Sequence, residues 1–193
     1  MGAYGDAGAI VTSDDRLAKK ARMLVNHGRI DKYNHEMEGI NSRMDGLQAA
    51  ILGVKLKYLP QWTEQRRENA YTYNECLKDS ALVLPAEMDR VKAVYHLYVV
   101  RVPAGQRRHM MDYLKSKAIS SGIHYPIALP YLKAYKYLNH TEDDFPHAAQ
   151  ASQECVSLPM FPELQESQIR YISDKIREFL DTTGFETKGN WVK

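Results

Sequence analysis

The stretch Gly39-Ile40-Asn41-Ser42-Arg43-Met44-Asp45-Gly46-Leu47-Gln48-Ala49-Ala50-Ile51-Leu52 sets three polar residues in front of a helical pattern. Met44, Leu47, Ile51, Val54 and Tyr58 recur at intervals of three and four, the spacing of one helix face. Ser42-x-x-Asp45 has the form of a capping box. Asn41, Ser42 and Arg43 are therefore expected at a helix N-terminus, where unpaired N–H groups and the positive end of the dipole favour an anion. Arg43 adds a forked, charge-assisted contact, so a phosphate is the expected guest. The plainer alternative is that Ser42 and Asp45 only cap the helix while Arg43 pairs with a surface carboxylate.

Residues 26–40 bring His27, Arg29, Lys32, Tyr33 and His35 into one polar loop without an apolar period. Loops of this kind often carry ligands, although each side chain could equally be a solvated loop residue. Gly122-Ile123-His124-Tyr125-Pro126 turns the backbone sharply and can present an imidazole and a phenol to a cleft. The competing reading packs Tyr125 under the loop and bonds His124 to backbone. His96 reads as a partly buried, satisfied strand histidine. The sequence has no Ser-His-Asp order with a nucleophile elbow, no cluster of metal ligands and no Walker or Rossmann phosphate loop, which weighs against hydrolase, kinase and dehydrogenase chemistry.

The elements that must position these residues follow an α/β order. Residues 7–12 form a short run of small and β-branched residues that reads as a strand, and Ser13 or Asp14 then caps a helix carrying Leu17, Ala18, Ala21, Met23 and Leu24. A nearly continuous apolar strand of this type belongs inside a sheet, so its neighbours are expected elsewhere. Pro60 marks a bend or restart, and residues 62–77 continue in helical register. Residues 95–102 alternate as a half-buried strand, residues 106–118 as a helix with Met110, Met111 and Leu114 inward. Residues 121–126 read as a short strand leading into a loop, 145–155 as a helix, 156–160 as a second short strand and 168–180 as a closing amphipathic helix. The expected division is 1–60, 61–181 and a polar tail, 182–193, with one Trp191.

At 193 residues, with 44% hydrophobic and 26% charged side chains, the chain has the composition of a globular protein. The net charge of +2 is interspersed. Pairs such as Lys19-Lys20, Arg66-Arg67 and Arg107-Arg108 read as solvated helical faces, and nothing forms the basic, aromatic-laced stripe of a nucleic-acid surface. No apolar run is long enough to span a bilayer and the first residues lack signal-peptide zones, so the default expectation is a cytoplasmic protein. Cys76 and Cys155, in amphipathic helical contexts, are expected as reduced core or boundary thiols.

Taken together, Gly2-Ala3-Tyr4-Gly5-Asp6-Ala7-Gly8, Asn26-His27-Gly28-Arg29, Lys32-Tyr33-Asn34-His35, the Gly39 stretch, Tyr95-His96-Leu97-Tyr98, His124-Tyr125-Pro126 and Ser157-Leu158-Pro159-Met160 resemble the DegT/StrS sugar aminotransferase family, in its order and spacing up to about Leu180. The resemblance implies a fold-type I pyridoxal phosphate-dependent transferase fold, with the end of the large domain in 1–60 and the small C-terminal α/β domain in 61–181. It implies transfer of an amino group from glutamate, less often glutamine, to a keto-sugar on a nucleotide diphosphate, by a homodimer.

In that family the cofactor lysine precedes the Gly2 segment. The chain is therefore expected to be a C-terminal portion, inactive alone unless a complementing N-terminal half is supplied, with Lys19, Lys20 and Lys32 in the wrong segments to substitute. By resemblance Asn41 contacts the cofactor phosphate of the partner subunit, Arg43 the cofactor region, and Tyr33, His35, His124 and Tyr125 the sugar nucleotide. The His-Tyr-Pro form leans towards a 3-keto sugar. Ala7 replaces a glycine common in the family. The contrasting expectations are a non-catalytic dimerisation or regulatory partner, and a sugar-nucleotide-binding remnant.

Overall fold

The computed structural model describes residues 2–103 and 105–183, and the chain divides into two compact units, Met1–Pro60 and Gln61–Lys193. Trp191 and most of the expected tail lie outside the described residues.

In the first unit, α1 (Asp15–Leu24) starts where Asp14 accepts hydrogen bonds from the N–H groups of Arg16 (2.8 Å) and Leu17 (3.2 Å). This is the side-chain cap that the sequence indicates. Residues 7–12 carry no regular secondary structure and belong to no strand pairing among the described residues, so the expected strand is not formed there. A strand exists only through a partner's ladder. α2 (Gly46–Leu56) begins three residues beyond Arg43, and Asp45 at its N-cap makes no side-chain cap bond. Ser42 spends its own N–H on the Val25 carbonyl at 2.9 Å, so Ser42-x-x-Asp45 is not a capping box and Asn41, Ser42 and Arg43 are not at a helix terminus. The Gln48 side chain clasps the Tyr4 backbone in both directions, at 2.9 and 2.8 Å, tying residues 2–5 to α2.

The second unit contains the core. α3 (Leu59–Leu77) buries Ala70, Tyr73 and Leu77; β1 (Tyr98–Arg101) turns Tyr98 and Val100 inward; α4 (Arg107–Ser116) adds Met110 and Leu114. α5 (Pro146–Glu154) runs directly into β2 (Cys155–Leu158), every residue of which is buried. α6 (Glu166–Thr182) closes the unit with Ile169, Ile172, Ile176, Phe179 and Leu180, the one-face spacing of an amphipathic helix. β1 and β2 pair antiparallel with Tyr98 opposite Leu158. Single bridges extend the pair on both sides, Val83 to Arg101 and Gly122 to Ser157. Residues 121–126 thus contribute one bridge in place of a strand.

At the centre, Tyr73 and Tyr98 stack with ring centroids 4.7 Å apart, and burial pushes both phenols far above their usual range. Each hydroxyl finds an acceptor, Pro159 O at 3.0 Å and Asn74 Oδ1 at 2.6 Å, as a buried polar tip requires.

The expectation of solvated faces is corrected here for Arg66, Arg67 and Arg107, while Arg108 is exposed as expected. Arg66 donates to the carbonyls of Tyr95, His96 and Met160, and Arg67 to Glu87 and the Ala93 carbonyl. The Arg107 side chain reaches the Ser152 carbonyl. These guanidiniums satisfy carbonyls in loops and in the last turn of α5 that no ladder covers. His96 is exposed and precedes β1, and Cys155 is buried on a strand where a helix was expected.

The hydrogen bond from Arg67, reinforced by the Ala93 N–H, holds the Glu87 carboxylate below its usual value of 4.5. A depressed carboxylate stabilises the fold above its unfolded-state value, and this contribution disappears as pH falls through the lower folded-state value. The difference in urea midpoint between wild type and Glu87→Gln is accordingly expected to hold from neutral pH down to about 4.5 and to shrink below it. A second expectation concerns the first unit, where Ile10 is 70%, Val11 93% and Leu47 72% exposed. Apolar surface of this kind makes the isolated chain self-associate, and a monodisperse monomer in light scattering would contradict it.

Candidate functional site

The first group of candidate residues sits on a loop closed by two glycines. Gly28 has φ +74°, and a Cβ there would lie 1.5 Å from the Met37 carbonyl oxygen; a Cβ on Gly39 would lie 2.2 Å from the Gly28 nitrogen. Only bare backbone permits so close an approach. The closure is held by His27 N–H to Ile40 O (3.0 Å), Gly28 N–H to Met23 O (2.7 Å) and Ile40 N–H to Leu24 O (2.7 Å). Asn26 and Asn41 consequently face each other in a bridge.

Across that bridge lies Arg43, whose Nε donates to Asn41 Oδ1 at 3.0 Å and whose Nη1 donates to Asn26 Oδ1 at 3.3 Å. Because the Asn41 carboxamide oxygen is turned onto Arg43, its NH2 is the group left to meet a ligand. Arg43 also lines, with Ser42, Arg22 and Thr12, a groove of about 780 Å³ running along residues 8–12. Where a helix N-terminus was expected, the structure has Asn41 and Arg43 anchored to a glycine-closed loop. Asn26 was not singled out, although it stands in the Asn-His-Gly-Arg motif; its pairing with Arg43, 17 residues on, has no local sequence signal.

Within the same loop the Asp31 carboxylate accepts the Tyr33 and Asn34 N–H groups, both at 3.0 Å, and these bonds hold it below its usual range. The turn so formed projects Tyr33 into solvent, 78% exposed. His35 Nδ1 lies 2.8 Å from the His27 carbonyl oxygen. A carbonyl only accepts, so Nδ1 carries the hydrogen and Nε2 of the neutral ring is an acceptor.

The second group lies in the other unit. His124 Nδ1 is 2.8 Å from Ser157 Oγ, and the ring meets Tyr125 edge-on at 5.3 Å. Tyr125 is 71% exposed, so it does not pack under the loop, and His124 bonds a side chain where the alternative expected backbone. Both residues line a cavity of about 700 Å³ whose other walls include Val83, Val99, Leu129 and Cys155. Arg101, also on the wall, is neutralised by Glu154 through bonds of 2.7 and 2.9 Å, leaving a predominantly apolar pocket. Ser157 and the Arg101–Glu154 pair escaped sequence reasoning. The Ser157-Leu158-Pro159 motif points to the serine's segment but not to its partner.

An α/β fold carrying these loops is shared with solved pyridoxal phosphate-dependent aminotransferases. The crystal structure of DesV from S. venezuelae superposes with a TM-score of 0.86 at 34% identity, over 92% of this chain and 48% of that one. The chain belongs to the DegT/DnrJ/EryC1/StrS aminotransferase family, whose model matches residues 1–177. Pyridoxal phosphate is the cofactor of this family. Among curated relatives, a pleiotropic regulatory protein of Geobacillus stearothermophilus is 43% identical over 93% of this chain and 48% of its own length. The dTDP-3-amino-3,6-dideoxy-alpha-D-galactopyranose transaminase of Aneurinibacillus thermoaerophilus is 38% identical over 89% of this chain and 46% of its own length. The chain therefore spans about half the length of the curated relatives it matches. No helix among the described residues is long and apolar enough to cross a membrane.

Gly28→Ala is expected to open the loop, since φ +74° and the Met37 carbonyl both oppose a side chain. Hydrogen-exchange protection of the Ile40 and Ser42 amides should fall by roughly tenfold or more, the scale of one strained residue. Protection of α6 should be unchanged. Equal protection of Ile40 in both proteins would show that the glycine is dispensable.

Proposed function

We propose that this chain is the C-terminal half of a pyridoxal phosphate-dependent aminotransferase that aminates a keto-sugar carried on a nucleoside diphosphate, with glutamate as donor. The observation that carries the proposal is the match, over nearly the whole chain, to transaminases of dTDP-linked amino sugars. The name of the Aneurinibacillus relative places its amino group at C3, which supports the lean of the His-Tyr-Pro motif towards a 3-keto substrate. The assignment of 1–60 to the large domain and 61–181 to the small domain belongs to the same proposal.

The residues present suit the cofactor's phosphate end. Asn41 contributes a carboxamide NH2 and Arg43 a guanidinium already oriented by Asn41 and Asn26, a planar donor set matched to phosphate oxygens. In the proposed homodimer this pair serves the partner subunit's cofactor. When bound, pyridoxal phosphate supplies the electron sink that lets an amino group change carbon. Tyr33 and His35 on the first loop, and His124 and Tyr125 at the apolar cavity, are assigned to the sugar nucleotide. There they orient the substrate through hydrogen bonds and an aromatic face, and the cavity walls exclude water. The lysine that holds the cofactor is assigned to the segment preceding the Gly2 motif in relatives.

A second reading, a non-catalytic regulatory partner, is favoured by the relative named as a pleiotropic regulatory protein. The test uses the polypeptide encoded by the whole open reading frame containing this sequence, incubated with glutamate and a dTDP-3-keto-6-deoxyhexose. Mass spectrometry is expected to find the amino sugar. Asn41→Ala is expected to weaken cofactor binding by roughly tenfold to a hundredfold, the scale of a hydrogen bond to a charged group. Cofactor binding without product from any 3-keto or 4-keto sugar nucleotide would favour the regulatory reading.

A further inference from the structure

We propose that Ser157 is a positioning residue that fixes His124 as an Nε2–H donor at the rim of the apolar cavity, so that this point of the site donates to a ligand oxygen and disfavours a ligand N–H that has no lone pair to offer. The proposal rests on the assignment of His124 to the substrate side.

Ser157 is 4% exposed at the middle of β2. Its backbone N–H and C=O are both taken by Gly122, at 2.8 and 3.0 Å. Its hydroxyl has His124 Nδ1, 2.8 Å away, as its polar partner among the described residues. A buried hydroxyl hydrogen left without an acceptor is the costly arrangement, whereas a hydroxyl oxygen with unused lone pairs is tolerated. If Nδ1 carried the hydrogen, the serine would accept and its own hydrogen would face a buried site with nothing to receive it. If Nδ1 is bare, the serine donates to it and both groups are satisfied. The hydrogen of the neutral imidazole then sits on Nε2, the nitrogen away from Ser157.

The ring's position is over-determined by its neighbours. A Cβ built on Gly122 would lie 3.0 Å from His124 Cε1, so the imidazole rests on a residue that has no side chain to displace it. Tyr125 closes one side with an edge-on contact of 79°. The same Gly122 that receives the ring pairs with the Ser157 backbone, so platform and hydrogen-bond donor form one rigid unit. His35 carries the opposite arrangement. Its Nδ1 donates to a carbonyl, and its Nε2 is an acceptor.

The experiment is a long-range ¹H–¹⁵N correlation spectrum of histidine-labelled protein, made from the whole open reading frame, at a pH where the ring is neutral. His124 is expected to show a protonated Nε2 and a bare Nδ1 in the wild type and in Ser157→Thr, and a mixture of the two tautomers in Ser157→Ala. A protonated Nδ1 in the wild type, or a Ser157→Ala spectrum identical to it, overturns the proposal, and the wild-type spectrum decides even if the alanine variant does not fold. Titration with dTDP-glucose separates this from the underlying reading. Binding is expected to shift the His124 Nε2 signal, to survive in His124→Gln, whose amide can reproduce an Nε2 donor, and to weaken roughly tenfold in His124→Phe. A wild-type tautomer as stated with no response of His124 to dTDP-glucose would remove the substrate-side assignment and leave the role of Ser157 standing.

Discussion

The second unit is organised by one constraint: β2, four residues long and buried throughout, must satisfy its polar groups without help from water. One edge pairs with β1, the other with Gly122. The residue before β2, Glu154, is buried with its carboxylate divided between Arg101 and the Gln150 amide. Of these partners, Val99 and Arg101 of β1 line the apolar cavity. The geometry of His124, the pairing of Arg101 with Glu154 and the wall formed by Cys155 are thus tied to how a short strand is satisfied. Removing one partner of such an arrangement leaves a buried charge or dipole uncompensated, which is far more damaging than never having had the pair.

The first unit solves a similar problem with glycine. Gly28 and Gly39 bring two backbone segments closer than any side chain would permit, and the amides so aligned hold Asn26 opposite Asn41. Arg43 then has two carboxamide oxygens to grip, and its guanidinium is oriented before any anion arrives. A helix N-terminus would have supplied a diffuse positive field. A clamped guanidinium with an adjacent NH2 supplies discrete donors in fixed directions, a geometry suited to the oxygens of a carboxylate or a phosphate.

Much of this was legible in the sequence where the signal is local. The Asp14 cap, the α6 stripe from Ile169 to Leu180, the break at Pro60 and the inward Met110 and Leu114 all depend on neighbours within one or two turns. The family motifs singled out His124, Tyr125, Asn41 and Arg43 as candidates. What failed depended on distant partners. Residues 7–12 have strand composition but find no ladder among the described residues, and the Ser42-x-x-Asp45 pattern lost because Ser42 N–H bonds to Val25, outside the helix. Arg66 and Arg67 looked like a solvated pair because nothing nearby in sequence announces the loop carbonyls at 93, 95, 96 and 160 that they satisfy. The Ser157 contact with His124 crosses 33 residues and had no pattern to reveal it.

The two candidate surfaces differ in physical character, and the difference bears on how selectivity would arise. At Asn41 and Arg43 the donors are charged or strongly dipolar and exposed, so they suit a group common to every substrate or cofactor of a given charge. At His124 the proposed donor is a ring N–H set in an apolar wall, with the neighbouring arginine ion-paired to Glu154. An apolar pocket alone separates ligands differing by one small group only weakly, whereas a wall bearing one fixed donor strongly rejects a ligand that leaves the donor unpaired. Discrimination between one ligand and another is therefore better served by the cavity beside β2 than by the glycine-closed loop. The rigidity of that cavity traces back to the strand whose backbone had to be satisfied on both edges.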